Sequence, residues 1–278
     1  MPRPCSRLLI AGVLLTMLAS SAGAQSIWIP RDRDRSVTLA AAKPSLDYVD
    51  EKTFSPVLTL TSRQPLGTRM SWVVEIPYAH LSVSEQFFVP LTWKEGSAIG
   101  NPYLGLEAHA ASGPLFAELG ARVPLMDENE PGVANLGRGS DVRMLEAFDP
   151  NEVSIVPAIN LRETTETHIA YRFRLSPTVT IPTQKGLDQN SPGTDLWMVY
   201  SWQIAYEGRV ARVGSGLSGR LLLTEDFGNL GERTVNQLEF HADLGSGAFR
   251  PGLDVRVPLG LEAAYFPVVL GLTLSWSR

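Results

Sequence analysis

From Thr167 to Ile181 the chain reads THIAYRFRLSPTVTI. The odd positions Ile169, Tyr171, Phe173, Leu175, Pro177, Val179 and Ile181 carry no polar side chain. The even positions His168, Arg172, Arg174, Ser176, Thr178 and Thr180 are polar, interrupted only by Ala170. A strict period of two is the pattern of a β-strand with one apolar and one polar face. Strands of soluble sheets run about 5–6 residues, whereas a tilted strand crossing a bilayer needs roughly 9–11. This stretch is long enough to cross, and both arginines lie on its polar face. It predicts a transmembrane β-barrel strand, apolar side to lipid and charged side to a lumen.

Such a protein must be exported, and the N-terminus fits. A basic start with Arg3 and Arg7 precedes an apolar run from Leu8 to Leu18 and small residues at Ala22 and Ala24. This predicts a secretory signal peptide over residues 1–24 and a barrel domain over 25–278. The only cysteine, Cys5, precedes the apolar run, so neither a lipid anchor nor a disulfide framework is expected. The 24 basic residues less Arg3 and Arg7, against 29 acidic ones, leave a mature charge of −7. Nothing in that balance suggests nucleic acid as a partner. No later segment approaches 18 consecutive apolar residues, so a crossing must be made by strands.

The alternation recurs along the chain. Strands are expected at Ser36–Ala42, Phe54–Arg63, Thr68–Tyr78, from Gly100, Leu115–Pro124, Val153–Arg162, Thr167–Ile181, Leu196–Tyr206, Ala211–Leu223, Thr234–Leu244, Ala248–Leu259 and Pro267–Trp276. Short turns and long polar loops alternate between them, as when one rim faces the periplasm and the other the exterior. If the short turns are periplasmic, the strand from Phe54 runs inward, so Ser36–Ala42 must cross first. The count is then twelve, even as in bacterial single-chain barrels, with ten as the fallback. The fold class is therefore all-β, a transmembrane antiparallel β-barrel with no helical domain. Proline lacks the N–H that a ladder needs and belongs at strand ends or bulges. Pro56, Pro77, Pro102, Pro124, Pro157, Pro177, Pro258 and Pro267 all fall toward the outer rim in this topology.

Candidate chemistry is sparse. His109, His168 and His241 face inward near the periplasmic rim, but two strands separate each from the next. At about 4.8 Å per strand they cannot share a metal ion with bonds of about 2 Å. No Gly-x-Ser-x-Gly element presents a nucleophile, since Gly214-Ser215-Gly216 lacks that spacing. No metal, cofactor or enzymatic activity is expected. The inward charges Glu107, Arg172, Arg174, Glu239, Asp254 and Arg256 are expected near mid-height as a lumen constriction that filters solutes. Alternatively, pairs such as Arg172 or Arg174 with Glu107 or Glu239 would plug the lumen.

The segment Gly100-Asn101-Pro102-Tyr103-Leu104-Gly105-Leu106, after a signal peptide and one hairpin, resembles the bacterial outer-membrane family named after the MetA pathway of phenol degradation. The resemblance implies a medium-sized barrel that passes hydrophobic or aromatic compounds and has no catalytic residue. The barrel assembly machinery is an expected partner, although Trp276 is followed by Ser277 and Arg278 rather than ending the chain. The expected function is passive passage of small, hydrophobic or aromatic solutes across outer-membrane lipid. A structural or adhesive barrel with a plugged lumen and a lipid-modifying barrel enzyme are the alternatives. Oligomeric state is not legible.

Overall fold

The computed structural model describes residues 35–45, 55–82, 95–110, 112–183, 193–224, 231, 233–245, 248–260 and 268–277. The expected signal peptide and Pro267 lie outside them. The strands are β1 (Ser36–Pro44), β2 (Val57–Leu66), β3 (Met70–Leu81), β4 (Gly96–Ile99), β5 (Tyr103–His109), β6 (Leu115–Arg122), β7 (Glu152–Thr164), β8 (Ile169–Pro182), β9 (Asp195–Glu207), β10 (Ala211–Leu222), β11 (Thr234–Leu244), β12 (Phe249–Leu259) and β13 (Val269–Ser277). Between β6 and β7 lie a helix, α1 (Pro131–Arg138), and a 3-10 turn, Val142–Ala147.

β4 and β5 pair with the same edge of β3, Ile99 opposite Tyr78 and Tyr103 opposite Glu75. They are two halves of one wall strand, broken at Gly100-Asn101-Pro102. The wall therefore has twelve antiparallel strands, and the ten-strand fallback is excluded. β1 pairs with β13 along its length and lies beside β2, which closes the barrel.

Alternation decides which side of each strand faces in. Leu104, Leu119, Ile159, Phe173, Trp202, Phe240, Leu253 and Leu270 point outward and are exposed, whereas Arg63, Glu75, Glu107, Arg220 and Glu239 point inward and are buried. A soluble sandwich has the opposite arrangement. Tyr171, Tyr206, Phe249 and Trp276 sit outward near one rim, an aromatic girdle of the kind found at a lipid–water boundary. Phe249 and Trp276 are register partners with ring centroids 5.0 Å apart.

The short connections share that rim with the start of β1 and the end of β13. Gly67 and Gly113 turn with φ of +76° and +99°, which a side chain would resist. The turn between β7 and β8 spans Thr165–His168, two residues later than the sequence suggested. His168 has φ of +66° and is exposed in that turn, not inward on a strand. At the loop rim stand Pro56, Pro77, Pro102, Pro124 and Pro258, as expected. Pro157 and Pro177 differ. The β7–β8 ladder runs to Ile155–Val179 and resumes at Ile159–Leu175, and the same register puts Pro157 opposite Pro177. Two imino nitrogens face a pair position where two hydrogen bonds would be exchanged. The Ser176 hydroxyl donates instead to the Pro157 carbonyl at 2.6 Å.

Candidate functional site

The connection between β6 and β7 was expected to be an exterior loop. It leaves the loop rim, but it then folds into the lumen. Pro131 opens α1, where its missing N–H is no loss. Val133, Ala134 and Leu136 are buried on the helix, and Met144, Ala147 and Phe148 follow. They form one apolar cluster with Val57, Ala79, Leu81 and Val269 of the wall. Gly137 lets this happen, because a Cβ there would overlap the Phe148 ring. The burial of these apolar side chains draws the segment inward.

Its polar side chains meet the lumen charges. Arg143 contacts Asp141 at 2.7 Å and Glu239 at 2.9 Å. Arg256 donates to the Ser140 carbonyl at 2.7 Å and contacts Asp254 at 2.6 Å and Asp141 at 3.4 Å. Gln237 donates to Asp141 at 3.1 Å and accepts from the Val142 N–H at 3.3 Å. Glu146 takes Arg220 at 2.9 Å and Arg122 at 3.8 Å, and Arg220 lies 4.1 Å over the Trp197 ring. Burial pushes the Asp141 carboxyl up, but Arg143 and Arg256 outweigh it and hold Asp141 well below the usual carboxylate range. Burial also disfavours charged Arg143, and Asp141 and Glu239 reverse that, raising it above the ordinary guanidinium value.

A second set of pairs lies nearer the turn rim. Arg63 reaches Glu107 at 2.5 Å and His109 at 2.8 Å. Arg174 reaches Glu118 at 2.5 Å and Asn160 at 3.0 Å, and the Tyr103 hydroxyl donates to the same Glu118. Glu207 is shared by Arg172 and, at 3.6 Å, Arg162. The Tyr103 ring lies across Gly105 and Gly120, where any Cβ would overlap it.

All six residues named from the sequence, Glu107, Arg172, Arg174, Glu239, Asp254 and Arg256, face inward and are buried. They do not make a single ring. Glu239 and Arg256 bind the inserted segment, Asp254 pairs with Arg256 on its own strand, and Glu107, Arg172 and Arg174 belong to the lower pairs. The plugging pairs anticipated from sequence are also different. Arg63 occupies Glu107 and Arg143 occupies Glu239, which leaves Arg174 to Glu118 and Arg172 to Glu207. Asp141, Arg143 and Glu146 were missed because a loop composition gives no period that points a side chain inward. Two small cavities lie between segment and wall among the described residues. One cavity of about 10 Å³ is lined by Glu75, Tyr103, Arg122, Arg143 and Ser176 among others, and one of about 20 Å³ by Thr59, Asp141, Met144 and Arg256 among others. Each has room for about one water.

Among the described residues no three His, Cys, Asp or Glu side chains converge on a metal position. His80 Nδ1 lies 2.8 Å from Ser97 Oγ on the outer face of β3 and β4, an exposed contact. A hydrolytic nucleophile needs an orienting group and an oxyanion site as well.

No protein-family model and no curated protein matches the sequence. Solved structures do match in fold. An outer-membrane channel termed COG4313, from Pseudomonas putida F1, superposes with a TM-score of 0.60 at 11% identity, over 91% of this chain and 99% of that one. The NanC porin superposes with a TM-score of 0.57 at 7% identity, over 87% of this chain and 100% of that one. At such identities the likeness is one of architecture, and the chain has the fold of an outer-membrane β-barrel.

Proposed function

We propose that the protein is a narrow outer-membrane channel giving passive passage to small solutes. The observation that carries this reading is the lumen face itself. It is polar and charged from Arg63 and Glu107 near the turn rim to Glu75, Arg122 and Glu146 near the loop rim, while the outer face is apolar. Closed barrels need no such lining for anchorage in lipid. The fold shared with a channel and a porin supports the same reading. Hydrophobic or aromatic solutes are the class we favour. That finer assignment rests on the resemblance of Gly100–Leu106 to the MetA-pathway family and on the apolar cluster around Phe148 at the loop rim. No cofactor or covalent chemistry enters the proposal, and the barrel assembly machinery would insert the chain.

A plugged, structural barrel is the second reading, favoured by the inserted segment and by cavities with room for about one water. Reconstitution into planar bilayers separates the two. Discrete conductance that becomes more cation-selective in a folded Arg172→Ala variant supports passage through the charged lumen. A wild-type chain that neither conducts nor admits aromatic solutes into liposomes would establish the plug.

A further inference from the structure

Gly100-Asn101-Pro102 divides β4 from β5, and the break places Asn101 where both ends of the inserted segment come together. Asn101 is fully buried. Its Oδ1 accepts the Leu125 N–H at 2.8 Å and the Met126 N–H at 2.9 Å, where the segment leaves the wall. Its Nδ2 donates to the Glu146 carbonyl at 2.9 Å and the Asp149 carbonyl at 2.6 Å, where the segment returns. Two donors and two acceptor sites are what a carboxamide has, so the side chain is used in full. The Asn101 N–H also donates to the Ala147 carbonyl at 2.6 Å, and its carbonyl accepts from Arg122 Nη1 at 3.1 Å. Gly100 makes room for this, since a Cβ there would overlap the Ala147 carbonyl and crowd Phe148. Pro102 passes its carbonyl to the Val123 N–H at 3.0 Å.

We propose that Asn101 is a positioning residue that clamps the base of the inserted segment and so sets the width of the lumen. The proposal rests on the channel reading for its consequence but not for the clamp itself. The ion pairs of Arg143, Glu146 and Arg256 hold the middle of the segment through long side chains, which can exchange partners among the many charges around them. Asn101 holds its backbone at both ends. Closing the base shortens the free loop and removes much of the entropy that would favour its release. No other side chain of this size supplies the same four bonds. Aspartate has the shape, but it turns two acceptors toward the carbonyls of Glu146 and Asp149.

That near-isosteric change gives the test. Asn101→Asp keeps the bonds to Leu125 and Met126 and loses those to the returning end. A reporter thiol is placed at the buried Met144 by Met144→Cys, on a Cys5→Ser background that removes the only natural cysteine. Folding is checked by heat-modifiable gel migration, and labelling by a membrane-impermeant maleimide is followed in outer-membrane vesicles. The clamp predicts labelling at least about tenfold faster in Asn101→Asp, as for a local opening made easier. The same variants are then compared in planar bilayers, where larger conductance is expected. Equal labelling rates overturn the clamp. Faster labelling with unchanged conductance in a conducting protein overturns its control of width. Faster labelling with silent bilayers for both proteins upholds the clamp and removes the channel reading instead. If Asn101→Asp does not assemble, Asn101→Ala, which removes all four side-chain bonds without adding charge, is judged by the same outcomes.

Discussion

Glu107 on β5 and Glu118 on β6 stand directly opposite each other in the barrel wall. Like charges facing across a ladder repel, yet both are buried and both are held. Arg63 comes from β2 to Glu107, and Arg174 comes from β8 to Glu118. The two carboxylates thus tie four separate strands across the lumen. Removing one partner from a buried pair leaves an uncompensated charge, typically at about 3–5 kcal/mol. Arg174→Ala should therefore lower barrel stability by that order. Arg174→Met combined with Glu118→Leu should recover most of it, as read from urea unfolding in detergent. A double variant no better than the single would mean the pair is not the element at stake.

Tyr103 and Gly120 make a tighter contact on the same patch. The ring occupies the space a side chain at position 120 would fill, and its hydroxyl is fixed on Glu118. Gly120→Val should destabilise the barrel by about 1–3 kcal/mol through overpacking. Tyr103→Ala should do so independently. In the double variant the two losses should not add, because the overlap is gone. Strict additivity in a double-mutant cycle would contradict the packing described.

Restoring donors to the β7–β8 ladder should strengthen it. Pro157→Val with Pro177→Val supplies two N–H groups opposite two carbonyls, each bond contributing about 0.5–1.5 kcal/mol net. The expected result is a higher temperature for conversion between the folded and unfolded gel bands. An unchanged or lower temperature would show that the gap has another origin.

Acid should leave the inserted segment in place longer than ordinary carboxylates suggest. Asp141 is faced by Arg143 on its own segment, Arg256 and Asp254 on β12, and Glu239 and Gln237 on β11. Its folded-state pKa is depressed, so its stabilising contribution is full above the unfolded value and declines as pH falls from there through the folded one. Amide exchange at Ser140–Ala147, corrected for the intrinsic rate, should keep its full protection down to about pH 3.9, where free aspartate protonates, and lose it gradually below that. Asp141→Asn should lose that protection already at neutral pH.

Protease sensitivity tests the orientation. Asp127, Glu128 and Asn129 are exposed at the loop rim, whereas most of Gly132–Phe148 is buried. A glutamate-specific protease added to intact cells should cut at Glu128 and spare Glu146. Cleavage at Glu166 in the short turn between β7 and β8 instead would invert the barrel.

Much of this architecture could be read from alternation. Strands such as Ile169–Pro182 announce themselves because lipid and lumen impose opposite polarity on neighbouring residues. The parity of long and short connections placed Ser36–Ala42 in the wall despite its weak pattern. The inward charges were legible for the same reason, but their partners were not. Arg174 lies 56 positions from Glu118 and Arg143 lies 96 from Glu239, and register alone relates them. Residues 131–149 read as a polar loop because Asp, Glu, Gly and Asn dominate the stretch around them. The deciding signal was the sparse set Val133, Leu136, Met144 and Phe148, which has no regular spacing across a helix, a kink and a 3-10 turn.

The pairing of β1 with β13, from Ser36–Ser277 to Pro44–Val269, sets the order in which the barrel can form. The first wall strand to be synthesised finds one of its neighbours only when the last has arrived. Contacts of such sequence separation form late and slowly. Until then β1 and β12 each expose a strand edge with unmet backbone donors and acceptors, a template for pairing with any other chain. A chain ending before Val269 would keep both edges open. Its fate would be aggregation or capture, so the nine residues of β13 act as the latch on assembly as well as a part of the wall.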